Sequence, residues 1–181
     1  MKKQVSVFLL AVMASIPAAC TGSPEPLGAD ARFEVGFSPD GQSQPLVLKA
    51  IAAARQEILV AAYSFTSKPV SAALLEAHRR GVQVRVVADR KANQASYTAT
   101  TFLANQGVPV RLNGNYPIHH HKFMVIDGRH LETGSFNYSK AAFERNAENV
   151  LVLWDVPAVA ATYAGEWHRL WNESEDVTPR H

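Results

Sequence analysis

Apolar positions recur along the chain with two periods, one typical of β-strands and one typical of α-helices. Continuous apolar runs such as EILVAAYSF favour strands buried on both faces, whereas apolar residues three and four apart favour helices packed on one side. The predicted strands are 33–37, 57–65, 82–89, 108–112 and 149–154, and the predicted helices are 44–56, 68–81, about 94–106, 139–147 and about 156–171. Strands that alternate with helices indicate an α/β layered domain.

Residues 120–137 add a hairpin to this alternation. Asp127 and Gly128 form a dipeptide that is typical of the tight turn between antiparallel strands. Because antiparallel strands then join the strands of the α/β units, we expect a mixed β-sheet flanked by helices on both faces.

The same stretch carries polar side chains at fixed spacing. Residues two apart on a strand point to the same face, so His120 and Lys122 share one face, and Ser135 and Asn137 can share another. A nucleophile or base, a fixed cation and two neutral hydrogen-bonding groups suit a phosphate diester. A lone histidine is more often structural, and a lone lysine lies more often on the surface. However, Lys122 lies in an apolar run, where an unpaired ammonium is costly and an anionic ligand is its natural partner.

This spacing resembles the signature of the phospholipase D superfamily, in particular the branch of small bacterial endonucleases that carry the motif once. The matching pattern is His120-x-Lys122-x4-Asp127-x6-Gly134-Ser135-x-Asn137, and Phe37-Ser38-Pro39 and Glu148-Asn149 are similar to the same branch. Six typed positions at fixed spacing make a specific motif. The resemblance covers residues 32–171 and implies a phospholipase D-like fold there.

The motif residues have distinct expected roles. His120 is the candidate nucleophile, since an imidazole can attack phosphorus and form a phosphohistidine. Lys122 would neutralise a nonbridging oxygen, and Ser135 and Asn137 would donate hydrogen bonds to the phosphate. For Ser135, capping of the helix that follows is an equally good interpretation.

Two carboxylates compete for the role of acidic partner to the histidine. The resemblance places that partner at Glu148, where it would fix the imidazole tautomer. Glu144 lies four residues earlier, and we expect it on an exposed helix face. Asp127 belongs to the motif but is interpreted as a structural turn residue and not as a catalytic group.

His119 and His121 offer a different interpretation, because they share the strand face opposite His120 and could be two zinc ligands. No third ligand at a suitable spacing is evident in the sequence. We therefore predict neither a metal site nor a cofactor.

Hydrolysis through a phosphohistidine requires two histidines, one to attack and one to protonate the departing oxygen. This chain carries the motif once. We therefore expect a two-fold homodimer in which His120 and Lys122 of both subunits meet across the axis.

The first 20 residues combine two lysines, an apolar stretch and small residues, which predicts a secretory signal peptide. The single cysteine, Cys20, ends this leader and makes a lipid anchor possible, although Pro17 replaces the aliphatic residue usual at such sites. Residues 21–31 are expected to form a flexible tether, and 172–181 a polar, frayed tail. The expected location is the periplasm or envelope of a bacterium.

Removing Lys2 and Lys3 with the leader leaves equal numbers of basic and acidic residues. A nucleic-acid enzyme without a basic surplus must concentrate its positive charge locally. The candidates for such a patch are Arg79, Arg80, Arg85, Arg90 and Lys91.

The leading interpretation is an exported, metal-independent phosphodiesterase that hydrolyses DNA with little sequence preference, with RNA left open. One alternative is a lipid phosphodiesterase of the same superfamily, which we rank lower because no exposed apolar face is evident in the sequence. Another is a noncatalytic envelope module that binds nucleic acid, against which the intact set of motif residues argues.

Overall fold

The computed structural model describes residues 24–95 and 98–179. The predicted signal peptide and the Cys20 anchor lie outside the described residues. The elements in chain order are β1 (Arg32–Ser38), α1 (Ser43–Ala53), β2 (Glu57–Ala62), α2 (Lys68–Arg79), β3 (Gln83–Asp89), a 3-10 turn (Lys91–Asn93), α3 (Ala99–Asn105), β4 (Val110–Asn113), β5 (Phe123–Ile126), β6 (His130–Gly134), α4 (Lys140–Glu144), β7 (Glu148–Trp154), α5 (Pro157–Asn172) and β8 (Glu175–Asp176).

The eight strands of the described residues form one sheet in the order β1-β7-β6-β5-β2-β3-β4-β8. Strands β2, β3 and β4 are parallel, as expected for strands joined by crossover helices. The remaining pairs are antiparallel. The mixed sheet predicted from the sequence is therefore confirmed.

Helices cover both faces of this sheet, as predicted. Helices α1 to α4 enclose the larger core, which includes Val60, Leu74, Val86 and Met124. On the other face, α5 is the one helix of the described residues, and it packs on a smaller core. The indole Nε1 of its buried Trp167 donates to a backbone oxygen of β2 at 2.8 Å.

Local signals explain where the elements begin and end. The side chain of Ser67 caps α2 by accepting from the backbone N–H of Val70 at 3.4 Å. Gly81 follows the helix at φ 92°, a conformation that glycine adopts without strain. The hairpin turn has Asp127 and Gly128 both at positive φ, as the predicted turn requires.

Several boundaries differ from the sequence prediction. Strand β2 ends at Ala62, and the helix expected from about residue 94 begins at Ala99. The tail was expected to be frayed, but its residues 175–176 pair with β4 as β8. An ion pair between Arg111 and Asp176, at 2.8 Å, supports that pairing, and a contact so distant in sequence leaves no local pattern.

Candidate active site

The motif residues other than Asp127 gather along one edge of the sheet, which we call the site edge. At this edge β2, β3 and β6 end and β5 and β7 begin. Because β5 is antiparallel to β2 and pairs next to it, the start of β5 lies beside the end of β2. The topology thus brings together residues that lie more than 80 positions apart, from Tyr63 to Glu148.

The segment that carries the histidines is an irregular loop and not the strand we predicted, since β5 begins only at Phe123. Asp89, buried at the end of β3, anchors this loop. One oxygen of its carboxylate accepts from the backbone N–H of His119 at 2.8 Å, and the other accepts from that of Ala92 at 2.7 Å. Sequence reasoning missed Asp89, although a carboxylate that ends a buried apolar strand is a usable signal.

His120 and Lys122 face the same aromatic ring, which also escaped sequence reasoning. The imidazole of His120 meets the ring of Tyr63 edge to face, with 4.7 Å between centroids. The ammonium of Lys122 lies 5.1 Å from the centre of that ring. The two side chains are therefore close, as predicted, but through a shared contact with Tyr63 and not through strand alternation.

The residue Lys122 is buried, and its ammonium forms no ion pair within the described residues. Only 7% of the residue is exposed, and its Nζ donates to the backbone oxygen of His120 at 2.7 Å. No carboxylate of the described chain forms an ion pair with it. Burial lowers the pKa of Lys122, and the nearby charge of Glu148 opposes that shift. Such a group favours an anionic ligand.

Ser135 and Glu148 lie side by side at the ends of β6 and β7. The Ser135 hydroxyl donates to Glu148 Oε2 at 2.6 Å, and Asn146 Nδ2 donates to Oε1 at 2.9 Å. The hydroxyl also accepts from the backbone N–H of Asn149 at 3.1 Å. Gly134 is required here, because a Cβ would lie 2.2 Å from the Asn149 oxygen. The carboxylate of Glu148 is thus engaged with Ser135 and Asn146, and its predicted pairing with His120 stays a prediction.

Asn137 is half-buried in the same loop, and its side-chain Oδ1 has no hydrogen-bond partner among the described residues. The cap of α4 is Ser139, whose hydroxyl accepts from the backbone N–H of Ala142 at 3.2 Å. Ser135 therefore does not have the capping role that the sequence left open.

A buried pair holds this loop in place. The Tyr138 hydroxyl donates to Glu132 Oε2 at 2.6 Å, and both residues are buried in the sheet's larger core region. The backbone oxygen of Tyr138 accepts from Thr66 at 2.9 Å and from Ser67 at 2.8 Å, which fastens it to the loop after β2. Burial raises the pKa of Glu132 to about 8, against the opposing effect of the Tyr138 hydrogen bond.

The two other acidic candidates lie outside this cluster. Glu144 is exposed on α4 and pairs with Lys140 at 3.6 Å, as expected of a solvated helix face. Asp127 lies at the opposite edge of the sheet. Its carboxylate accepts from the backbone N–H groups of Gln56 at 2.7 Å and Glu57 at 2.9 Å, which is a structural role.

His119 and His121 do share a side, with 5.5 Å between their ring centroids. His121 Nε2 lies 3.5 Å from a Glu166 oxygen. Burial, and then the charge of His121, lowers the pKa of His119 to about 4. Within residues 24–95 and 98–179, no three His, Cys, Asp or Glu side chains are placed to hold a metal ion.

The predicted basic patch is dispersed, and this prediction is wrong. Arg79 and Arg80 end α2 at the edge opposite the site edge. Arg85 pairs with Glu57 and lies over the ring of Trp167 on the α5 face. The two remaining members, Arg90 and Lys91, follow β3 at the site edge. Proximity in the sequence could not reveal this dispersal. Helix α2 places Arg79 and Arg80 at one edge of the sheet, whereas β3 places Arg90 at the other.

None of the helices in the described part of the chain combines the length and apolarity needed to cross a bilayer.

A sheet of this topology with a His-x-Lys motif at its edge defines a class of protein, and comparison with known families agrees. Residues 47–171 match the family model "Cardiolipin synthase, PLD-like domain". This match covers more than half of the chain. The chain belongs to the phospholipase D superfamily.

Three individual relatives are similar to most of this chain. The chain is 39% identical to the crystal structure of Nuc from Salmonella typhimurium, a phospholipase D family member, with a TM-score of 0.80 over 82% of this chain and 99% of that one. It is 36% identical over 73% of its length to mitochondrial cardiolipin hydrolase from Xenopus laevis, and 34% identical over 72% to phospholipase D from Rickettsia bellii. The chain spans 62% and 65% of those two relatives.

Proposed function

We propose that this protein is an exported phosphodiesterase that hydrolyses DNA without sequence preference, through a phosphohistidine in a homodimeric site that uses no metal ion. RNA is left open as a further substrate. The observation that carries the proposal is the buried ammonium of Lys122 beside the imidazole of His120, with no carboxylate paired to it in the described chain. A diester phosphate supplies the missing anion.

The first chemical step is attack by an imidazole nitrogen of His120 on phosphorus. A P–N bond forms, the P–O bond to the leaving group breaks, and the departing oxygen takes a proton from the His120 of the second subunit. Lys122 neutralises a nonbridging oxygen, and the side-chain N–H groups of Asn137 donate to the phosphate.

In the second step the newly neutral histidine takes a proton from water. The water oxygen attacks phosphorus, the P–N bond breaks, and the first histidine is restored. Both histidines must reach one phosphorus atom, and each chain has one His-x-Lys motif. The proposal of a homodimer rests on this requirement.

Two observations favour nucleic acid as the substrate. The motif resembles that of the small one-motif endonucleases, and the chain matches nearly the whole of Nuc, which is a similarly small protein. Phosphate contacts alone carry no sequence information, so a site built from His120, Lys122 and Asn137 does not discriminate between sequences.

A lipid phosphodiesterase is the second candidate, and two observations support it. Relatives named mitochondrial cardiolipin hydrolase are 30–36% identical to this chain. In addition, the expectation that no apolar face is exposed is wrong, because Phe33, Val35 and Phe37 are exposed on β1.

The deciding experiment compares substrates for the purified protein in excess chelator. We expect cleavage of plasmid DNA at a rate unchanged by EDTA, and little release of headgroup from cardiolipin or phosphatidylcholine vesicles. Loss of DNA cleavage with EDTA would contradict the metal-free mechanism, and preferential lipid cleavage would favour the second candidate. Binding of DNA without cleavage would indicate the noncatalytic module.

Export is proposed from residues 1–20 alone. Expression of the full chain in a bacterium, followed by fractionation, should place the shortened protein outside the cytoplasm. Labelling with a radioactive fatty acid would decide whether Cys20 carries a lipid. The label should enter the wild type and not the Cys20→Ala variant if it does.

A further inference from the structure

Tyr63 follows strand β2, and its ring lies where the two charged or reactive groups of the motif meet. Strand β2 ends at Ala62, so Tyr63 stands at the site edge, where it is half-buried. The ring centres of Tyr63 and His120 are 4.7 Å apart, and the ammonium of Lys122 lies 5.1 Å from the same tyrosine ring centre. The nucleophile and the cation of the proposed chemistry therefore share one aromatic neighbour.

The backbone that carries Tyr63 is held by the buried amide of Asn93. Its Nδ2 donates to the backbone oxygen of Tyr63 at 2.7 Å and to that of Asp89 at 2.8 Å. Its Oδ1 accepts from the backbone N–H of Phe65 at 3.1 Å. These bonds fasten the chain after β2 to the end of β3. A tyrosine side chain has few rotatable bonds, so a fixed backbone largely determines where its ring lies.

The ammonium of Lys122 requires a neighbour that supports its charge without cancelling it. Within the described chain its Nζ donates to one backbone oxygen, that of His120, at 2.7 Å. A carboxylate in contact with Lys122 would neutralise the cation and compete with a phosphate. The face of an aromatic ring carries a partial negative charge, so it attracts a cation within about 6 Å. Because the ring has no net charge, the positive charge of Lys122 stays available to a ligand.

The imidazole of His120 has few other contacts that could orient it. It is exposed, and within residues 24–95 and 98–179 it forms no hydrogen bond. Its ring plane stands at 60° to that of Tyr63, which is close to the edge-to-face arrangement that aromatic rings prefer. A nucleophile must approach phosphorus along one direction, so a fixed ring plane raises the fraction of productive orientations.

We infer that Tyr63 is a positioning residue of the candidate site. Its ring face holds the ammonium of Lys122, and its contact with His120 sets the plane of the attacking imidazole. This inference rests on the proposed function, because it concerns the same two groups. The hydroxyl of Tyr63 forms no hydrogen bond in the part of the chain that the structure describes, so the ring alone carries the role.

The first test separates the ring of Tyr63 from its hydroxyl. Tyr63→Phe keeps the ring, so kcat on plasmid DNA should stay within about twofold of the wild-type value. Tyr63→Leu keeps apolar bulk and removes the ring, and kcat should fall about 100-fold, as when reacting groups are misplaced by about 1 Å. KM should change less than kcat, because Tyr63 acts on the reacting groups and not on the rest of the bound strand.

The second test weakens the negative face of the ring while nearly keeping its shape. Phenylalanines with increasing numbers of ring fluorines, placed at position 63, draw charge out of the face in steps. We expect kcat to decrease along this series, by about fivefold in total, while the temperature of thermal unfolding stays constant. A side chain that only fills space would show no such trend. The series therefore decides the matter even if Tyr63→Leu fails to fold.

The matched control is a second aromatic ring that lies near an ammonium. The ring centre of Trp154 lies 6.0 Å from the ammonium of Lys49, at the end of β7 that points away from the site edge. Trp154→Leu removes a contact of the same kind, and its kcat should stay near the wild-type value.

The outcomes distinguish this inference from the proposed function. Full activity of Tyr63→Leu, or a flat fluorine series, would overturn the positioning role while leaving the nuclease proposal intact. Loss of activity in Tyr63→Phe would overturn it as well, since the hydroxyl would then act on the substrate.

A wild type that releases the headgroup of cardiolipin and does not cleave DNA would overturn the proposed function alone. The same variants would then be compared on cardiolipin, because the positioning concerns His120 and Lys122 and not the rest of the substrate. A wild type that cleaves neither substrate would overturn both proposals.

Discussion

Two charged residues of one motif lie at opposite ends of a single short strand and have opposite surroundings. Asp127 follows β5 at one edge of the sheet, and three backbone N–H groups, of Arg55, Gln56 and Glu57, satisfy its carboxylate. Lys122 precedes β5 at the site edge, where its buried ammonium has one backbone acceptor and the face of Tyr63. A charge whose hydrogen bonds are all formed stabilises the fold. A buried charge with few hydrogen-bond partners costs stability and favours binding of a ligand of opposite charge.

Substitution of the nucleophile should give the largest effect at the site edge. We expect His120→Asn to lower kcat on DNA at least about 10⁴-fold, because the covalent route is removed. Its thermal unfolding should change little, since the imidazole is exposed and touches mainly Tyr63. Equal cleavage by this variant and the wild type would show that the site is assigned wrongly.

Substitution of the buried cation should separate activity from stability. Lys122→Met keeps the length of the side chain and removes the charge, so kcat should fall about 10²- to 10³-fold. The variant should nevertheless unfold at a higher temperature at pH 7, because burial of the charge is no longer required. A loss of both activity and stability would contradict this account.

The stability difference between Lys122→Met and the wild type should also change with pH in a defined direction. Because the pKa of Lys122 is lowered in the folded state, its burial cost is fully present below that folded pKa and fades as pH rises towards the unfolded value. The stability difference between Lys122→Met and the wild type should therefore shrink at alkaline pH, as measured by urea unfolding.

Substitution of Asp127, at the opposite edge of the sheet, should lower stability and leave activity unchanged. Asp127→Ala removes the acceptor for three backbone N–H groups and places alanine at φ 53°, so we expect a loss of about 3 kcal/mol in the free energy of unfolding. Cleavage per folded molecule should stay near the wild-type rate. Asp127→Asn is the matched control, since it keeps an acceptor and tolerates the conformation, and it should lose less.

The smallest effect should come from the buried pair behind the site. The folded pKa of Glu132, about 8, lies above its unfolded value. Stability from its neutral form is thus complete at acidic pH and is lost as pH rises towards 8. Between pH 5 and 7 the wild type should lose about 2 kcal/mol that Glu132→Gln retains. Parallel pH profiles of unfolding for the two proteins would contradict the assignment.

Much of the fold could be predicted from the sequence because it depends on neighbours in the chain. The apolar runs at 57–65 and 82–89 located β2 and β3, and Gly81 marked the end of α2. The dipeptide Asp127-Gly128 gave the hairpin, and with it the mixed sheet. The spacing of His120, Lys122, Ser135 and Asn137 predicted the candidate site, since motif spacing is a property of the chain.

Other features depend on residues that are distant in sequence, and these were decided by the tertiary structure. Tyr63 and Asp89 became part of the site because parallel strands end at one edge. The five arginines and lysines were dispersed for the same geometric reason, and β8 exists only because β4 offers an edge to it. Periodicity states which face of an element is apolar, but not which other element covers it. The sequence by itself therefore determined the elements and the chemistry, whereas the order of the strands decided which residues surround that chemistry.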